Sequence, residues 1–109
     1  MKKTIFILGS NGLLGSKLTS YLKKKSFFKI HTVARSNSDY NINLEDFTKL
    51  KKIILSSKID YLVNCAAHTE IKFCEKSYKN IYKINVLLPK LLSEISKKKN
   101  FRYIHISTD

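Results

Sequence analysis

Gly9, Gly12 and Gly15 are the only glycines in the chain, and they stand at three-residue intervals directly behind the apolar run Thr4, Ile5, Phe6, Ile7, Leu8. A buried strand that turns through glycines into a helix offers free backbone N–H groups to an anion, the arrangement that holds a dinucleotide pyrophosphate. Each glycine has its own steric task. Gly9 lets the chain leave the strand sharply, Gly12 lets phosphates approach the backbone, and Gly15 lets the helix pack closely on the strand. The spacing is G-x-x-G-x-x-G rather than the commoner G-x-G-x-x-G. With Asn11, Leu13 and Leu14, these glycines are the first candidate cofactor contacts. An ordinary glycine turn is the alternative; the strand ahead and the helical pattern behind favour the cofactor.

Three further stretches could carry chemistry. Arg35 follows the second apolar run, where an acidic residue would hold the ribose 2′-hydroxyl of NAD and an arginine can instead take a 2′-phosphate. With Ser36 beside it, the site leans toward NADP(H), against a solvated loop arginine as the alternative. Asp39, Tyr40 and Asn41 follow where adenine contacts would fall, although these are also common turn formers. Ala66, Ala67, His68 and Thr69 end the third apolar run. The small residues leave room for sugars and phosphates, and His68 reads as a polar wall rather than a general base. His31 and His105 lie in strand patterns with no site around them. Ser107, Thr108 and Asp109 could hydrogen-bond a substrate carbonyl, or form a plain turn. Cys65 and Cys74 make no CxxC and read as reduced thiols, so no metal site is expected.

Alternating patterns supply the elements that must position these residues. Residues 4–8 read as a strand, and 13–25 as a helix with Leu14, Leu18, Tyr21 and Leu22 at helical spacing. Residues 29–34 form the second strand and 35–43 a polar loop. Asn43 offers an N-cap, with Asp46 three positions on, to a helix turning Phe47, Leu50, Ile54 and Leu55 inward. Residues 60–66 suit a strand buried on both faces. Residues 77–99 carry a helical stripe of Ile81, Ile84, Leu88, Leu91 and Ile95, with a bend or a local break expected at Pro89. Residues 101–107 make the fourth strand. The fold class is α/β: a Rossmann-like, doubly wound parallel sheet of about four strands in the order 3-2-1-4. The crevice would lie at the C-terminal ends of strands one and four.

Bulk properties narrow the function. The 109 residues allow one domain, and 43% hydrophobic with 27% charged is ordinary for a globular chain. No apolar run approaches the roughly 20 residues of a membrane span. Met1, Lys2 and Lys3 precede only five apolar residues, too few for an export signal, so a cytoplasmic setting is expected. The net charge of +13 is almost all lysine spread along the chain. Nucleic-acid binding is not expected, because such proteins cluster arginine and aromatics on one face. The charge suits steering of an anionic cofactor or nucleotide-sugar.

Together these segments resemble the extended short-chain dehydrogenase/reductases, and among them the dTDP-4-dehydrorhamnose reductase family, over essentially all 109 residues. The stretches that carry the likeness are Val63 to Thr69, Cys74 with Glu75, Ile84 to Val86, and His105 to Asp109. The resemblance implies that Gly12, Leu13 and Leu14 hold phosphates and that Ala66, Ala67 and Thr69 line the cofactor. It further implies that Thr108 is the threonine of a Thr-Tyr-Lys catalytic set, and that Thr108 and Asp109 border the sugar-nucleotide pocket. The adenine-side aspartate aligns with Asp39 or with Asn41. Lys72 departs from the family, which usually has an acidic residue there. The family's Y-x-x-x-K lies beyond residue 109, and neither Tyr78 nor Tyr82 begins one. Residues 1–109 therefore read as the N-terminal, NAD(P)-binding part of such a reductase, without turnover alone. The complete protein would reduce a dTDP-4-keto-6-deoxy-sugar, and a homodimer is the self-association open to it. A sugar-nucleotide epimerase or dehydratase, and a non-catalytic dinucleotide-binding or regulatory subunit, are the alternatives.

Overall fold

The computed structural model describes residues 2–66 and 75–106. In chain order the elements are β1 (Lys3–Leu8), α1 (Leu13–Lys23), β2 (Phe28–Ala34), β3 (Tyr40–Asn41), α2 (Phe47–Ser56), β4 (Tyr61–Asn64), α3 (Glu75–Tyr82), a π-helical turn (Lys83–Leu87), α4 (Leu88–Lys99) and β5 (Arg102–His105). The five strands form one parallel sheet in the order β3-β2-β1-β4-β5. Leu8 is level with Val33 on one side and Asn64 on the other, and Asn64 is level with His105. The central strands thus end on one line, and the loops leaving them converge.

The doubly wound order 3-2-1-4 is present and continues to a fifth strand, but its third place has a different occupant. Tyr40 and Asn41, read from sequence as loop, form the two-residue strand beyond β2. The strand expected at 60–66 therefore pairs directly with β1 as β4. Two residues are too few to show a period of two, which is why the pattern missed them.

Helices cover both faces. Alternation along β1 sends Phe6 and Leu8 to one side and Ile5 and Ile7 to the other. The first side is sealed by Leu50 and Ile54 of α2, by Ile84, and by Leu88, Leu92 and Ile95 of α4. The second carries α1, whose Leu18 and Leu22 pack on Ile5, Ile7 and Val63. Beside α1 an apolar groove of about 340 Å³ stays open over β4 and β5, bordered by Tyr61, Val63, Ile104 and Ile106.

Two local expectations are corrected, and a third is located more closely. Asp46, not Asn43, is the N-cap of α2: its carboxylate accepts the Lys49 N–H at 3.2 Å, while Asn43 Oδ1 accepts the Glu45 N–H at 2.9 Å. Leu55 is exposed rather than inward. The break in the long helix precedes Pro89, as the π-helical turn in which the Leu88 N–H bonds the Lys83 carbonyl. Proline lacks an N–H and crowds the carbonyl four residues back, so the turn before it must widen. That slip carries the buried stripe from Ile84 and Leu88 to Leu92 and Ile95, leaving Leu91 partly exposed.

At the other end of α4, Lys99 Nζ donates to the carbonyls of Ile54 (3.0 Å), Leu55 (3.1 Å) and Ser57 (2.6 Å). An ammonium on the carbonyls of a helix C-terminus, of which that of Ile54 also accepts the Ser57 N–H at 3.4 Å, complements the helix dipole. Among the described residues, no helix is long and apolar enough to cross a membrane.

Candidate functional site

A cleft of about 360 Å³ opens where β1, β2 and β4 end. Gly9, Asn11 and Gly12 line it from the β1–α1 loop, Ala34 and Arg35 from the end of β2, and Cys65 and Ala66 from the end of β4. Asn43, Leu44 and Glu45 enter from the segment after β3, and Ile84 from the π-helical turn.

The loop geometry follows from its glycines. Gly9 has φ +75, a region unfavourable to side-chain-bearing residues, and its N–H donates to the Val33 carbonyl at 2.9 Å. A Cβ there would stand 2.8 Å from the Ala66 nitrogen. A Cβ on Gly15 would run into the Gly9 carbonyl, so the helix could not start so close to the strand. Around Gly12 the space is open; the nearest atom to an added Cβ is the Gly9 carbonyl oxygen at 3.5 Å. Asn11 Nδ2 donates to the Ser36 carbonyl at 2.5 Å and ties the loop to the end of β2.

No side chain caps the start of α1, and its first turn holds no acidic residue. The amides there are available to an anion, with the positive end of the helix dipole behind them. Arg35 and Glu45 are the charged residues among those lining the cleft, with Nη2 and Oε2 3.7 Å apart. Beneath them, Asn64 is fully buried and its Oδ1 accepts the Ala66 N–H at 3.0 Å, fixing the turn that brings Ala66 to the cleft. Asn64 Nδ2 donates to the Tyr103 hydroxyl at 3.4 Å and lies 3.4 Å from His105 Nδ1. His105 therefore has neighbours that its strand pattern did not reveal. Burial pushes the Tyr103 hydroxyl above its ordinary range, partly offset by that bond from Asn64; burial alone raises the Cys65 thiol. Both are held neutral at pH 7.

Of the residues singled out in the sequence, Gly9, Asn11, Gly12, Arg35 and Ala66 meet in this cleft. Leu13 and Leu14 are exposed at the start of α1, and Gly15 is buried behind the loop. Asp39 and Asn41 are engaged elsewhere. The Asp39 carboxylate accepts from the Thr32 N–H at 2.8 Å and the Thr32 hydroxyl at 3.1 Å. Asn41 Oδ1 accepts from the Ser38 N–H and hydroxyl. Ala67, His68, Thr69, Thr108 and Asp109 lie outside the described residues. Sequence reasoning missed Asn43, Leu44 and Glu45 in the cleft. The available signal was that a third parallel strand must end at the same crevice as the first two.

A Y-x-x-x-K spacing does occur, at Tyr21 and Lys25. It lies at the end of α1 remote from the cleft, about 16 Å along an 11-residue helix. Lys25 Nζ stands 4.8 Å from the Tyr21 ring centroid, a surface cation–π contact. Among the described residues, no group of three or more His, Cys, Asp or Glu could hold a metal ion.

Known proteins share this arrangement. The family model described as RmlD substrate binding domain matches residues 1–109. The dTDP-4-dehydrorhamnose reductase of Mycobacterium tuberculosis is 30% identical over 105 residues, covering 96% of this chain and 32% of its own. A probable low-salt glycan biosynthesis reductase, Agl14, of Haloferax volcanii is 24% identical over 109 residues, covering 95% and 36%. The chain thus spans about a third of the length of these curated relatives. Among solved structures, a hypothetical dTDP-4-dehydrorhamnose reductase from Sulfolobus tokodaii superposes with a TM-score of 0.81 at 27% identity, covering 98% of this chain and 39% of that one. The Bacillus anthracis dTDP-4-dehydrorhamnose reductase, solved in complex with NADP, shares the fold with a TM-score of 0.81 at 21% identity, covering 98% and 36%. With the glycine loop, the strand order and a family model matched from end to end, the chain belongs to the RmlD substrate binding domain family, that of the dTDP-4-dehydrorhamnose reductases.

Proposed function

We propose that residues 1–109 are the dinucleotide-binding part of a reductase, in which the complete protein reduces the 4-keto group of a dTDP-6-deoxy-sugar. The observation that carries the reading is the open, uncapped start of α1 facing a cleft, with space over Gly12 that a Cβ would fill. The amides of the glycine loop would hold the pyrophosphate. Asn43 and Leu44 would border the adenine, and Arg35 would meet a 2′-phosphate, favouring NADP(H) over NAD(H). Bound there, the coenzyme supplies a hydride to the keto carbon. Ala66, Ala67 and Thr69 would line its sugars, and Thr108, beside Asp109, would orient the keto oxygen. The support for this is the set of relatives, which carry reductase names, and the NADP reported in the Bacillus anthracis structure. The free thiol of Cys65 fits a reducing, cytoplasmic setting, with the nucleotide-sugar and a second copy of the chain as partners.

Calorimetric titration with NADPH and NADH tests the reading. The protein should bind at least one of them, and Gly12→Val should weaken binding by roughly a hundredfold or more while leaving the far-UV spectrum unchanged, since its side chain fills the approach to the amides. No binding by the unaltered protein, or full binding by Gly12→Val, would refute it.

A further inference from the structure

Arg35 does not stand alone at the end of β2. Its guanidinium lies 3.7 Å from the Glu45 carboxylate, and the two side chains differ in freedom: that of Arg35 is 72% exposed and that of Glu45 19%. The backbone around Glu45 is held on both sides. Its N–H donates to Asn43 Oδ1, and its carbonyl accepts the Phe47 N–H at 3.1 Å. The carboxylate is therefore the anchored partner, and the arginine reaches to it across the mouth of the cleft. Other acids nearby are committed elsewhere: Asp39 bonds Thr32, and Asp46 caps α2. Among the described residues lining the cleft, Glu45 is the sole carboxylate.

An ion pair this exposed is weak. A phosphate dianion offers a guanidinium a paired, charge-assisted contact and can draw Arg35 away. Once it does, Glu45 stays behind without its counter-charge and close to the incoming phosphate. Two like charges then face each other at the edge of the cleft. Resting on the dinucleotide reading above, we propose that Glu45 is a specificity-determining residue: it competes with the 2′-phosphate for Arg35, and so sets how strongly the cleft prefers NADP over NAD. Arg35 supplies the attraction and Glu45 limits it.

The test compares 2′,5′-ADP with 5′-AMP, which differ only in the 2′-phosphate, alongside NADPH and NADH. Glu45→Gln should tighten 2′,5′-ADP roughly fivefold and leave 5′-AMP within about twofold, the scale of one exposed charge pair. Arg35→Gln should weaken 2′,5′-ADP roughly tenfold, again sparing 5′-AMP. Glu45→Ala repeats the measurement should the glutamine variant fold poorly. A residue with a merely structural role would move both nucleotides together. An unchanged or lower ratio in the Glu45 variants, with both nucleotides still bound, overturns the role of Glu45 and leaves the dinucleotide reading intact. Failure of the unaltered protein to bind any of the four ligands overturns both.

Discussion

The two faces of the sheet are built to different standards. On the side of α2 and α4, Phe6, Leu8, Val33 and Leu62 meet two helices and a π-helical turn, and the core is continuous from Leu44 to Phe101. On the side of α1, the buried hydrophobic cluster among the described residues is Ile5, Ile7 and Val63, and the groove over β4 and β5 stays open, with Ile104 46% exposed. The same strands serve both faces, so strand propensity does not explain the difference. It lies in how many helices return over each side. Among the described residues α1 is the helix over that face, and it leaves the far strands open to water.

Truncation on the covered face should produce the largest effect. Leu92→Ala removes a fully buried side chain between α4 and the sheet, and should lower the unfolding free energy by about 2–5 kcal/mol, read from urea titration. A cost below about 1 kcal/mol would mean that this core is no tighter than the other. Next comes the tie between the two helices on that face. Lys99→Met keeps the stem but takes the ammonium from three carbonyls at the end of α2, and should cost about 1 kcal/mol, with faster amide exchange near Ser57 than in β1. The smallest change should come on the open face. Ile104→Thr keeps a β-branched strand residue and should alter stability by about 0.5 kcal/mol or less, while reducing self-association in sedimentation experiments. A loss comparable to that of Leu92→Ala would show Ile104 to be as well packed as the covered core.

The same contrast explains what could be read in the sequence. β1, α1, β2, α2 and β4 announce themselves by apolar periodicity, because each packs at least one side; β5 carries the pattern although, Tyr103 apart, its residues are exposed. The glycine loop is legible because its steric demands act within seven residues, from Gly9 to Gly15. β3 is not, since Tyr40 and Asn41 owe their pairing to β2 rather than to any pattern of their own. Without β3 the pattern gives Asn43, Leu44 and Glu45 to the start of a helix and not to the cleft they line. The partner of Arg35 was hidden for a related reason: it stands ten positions away, and only the β3 register brings it close. Leu91 falls on the buried stripe under a uniform helical period, and the π-helical turn shifts that phase.

That turn has a wider meaning. A wider turn amounts to one additional residue threaded into a regular helix, so α3 and α4 are out of phase by roughly 100° about their common direction. Ile84 sits at the phase change, 5% exposed, touching the interior on one flank and the cleft on the other. Whatever occupies the cleft therefore presses on the hydrophobic interior through Ile84 and Leu44, which line the one and belong to the other.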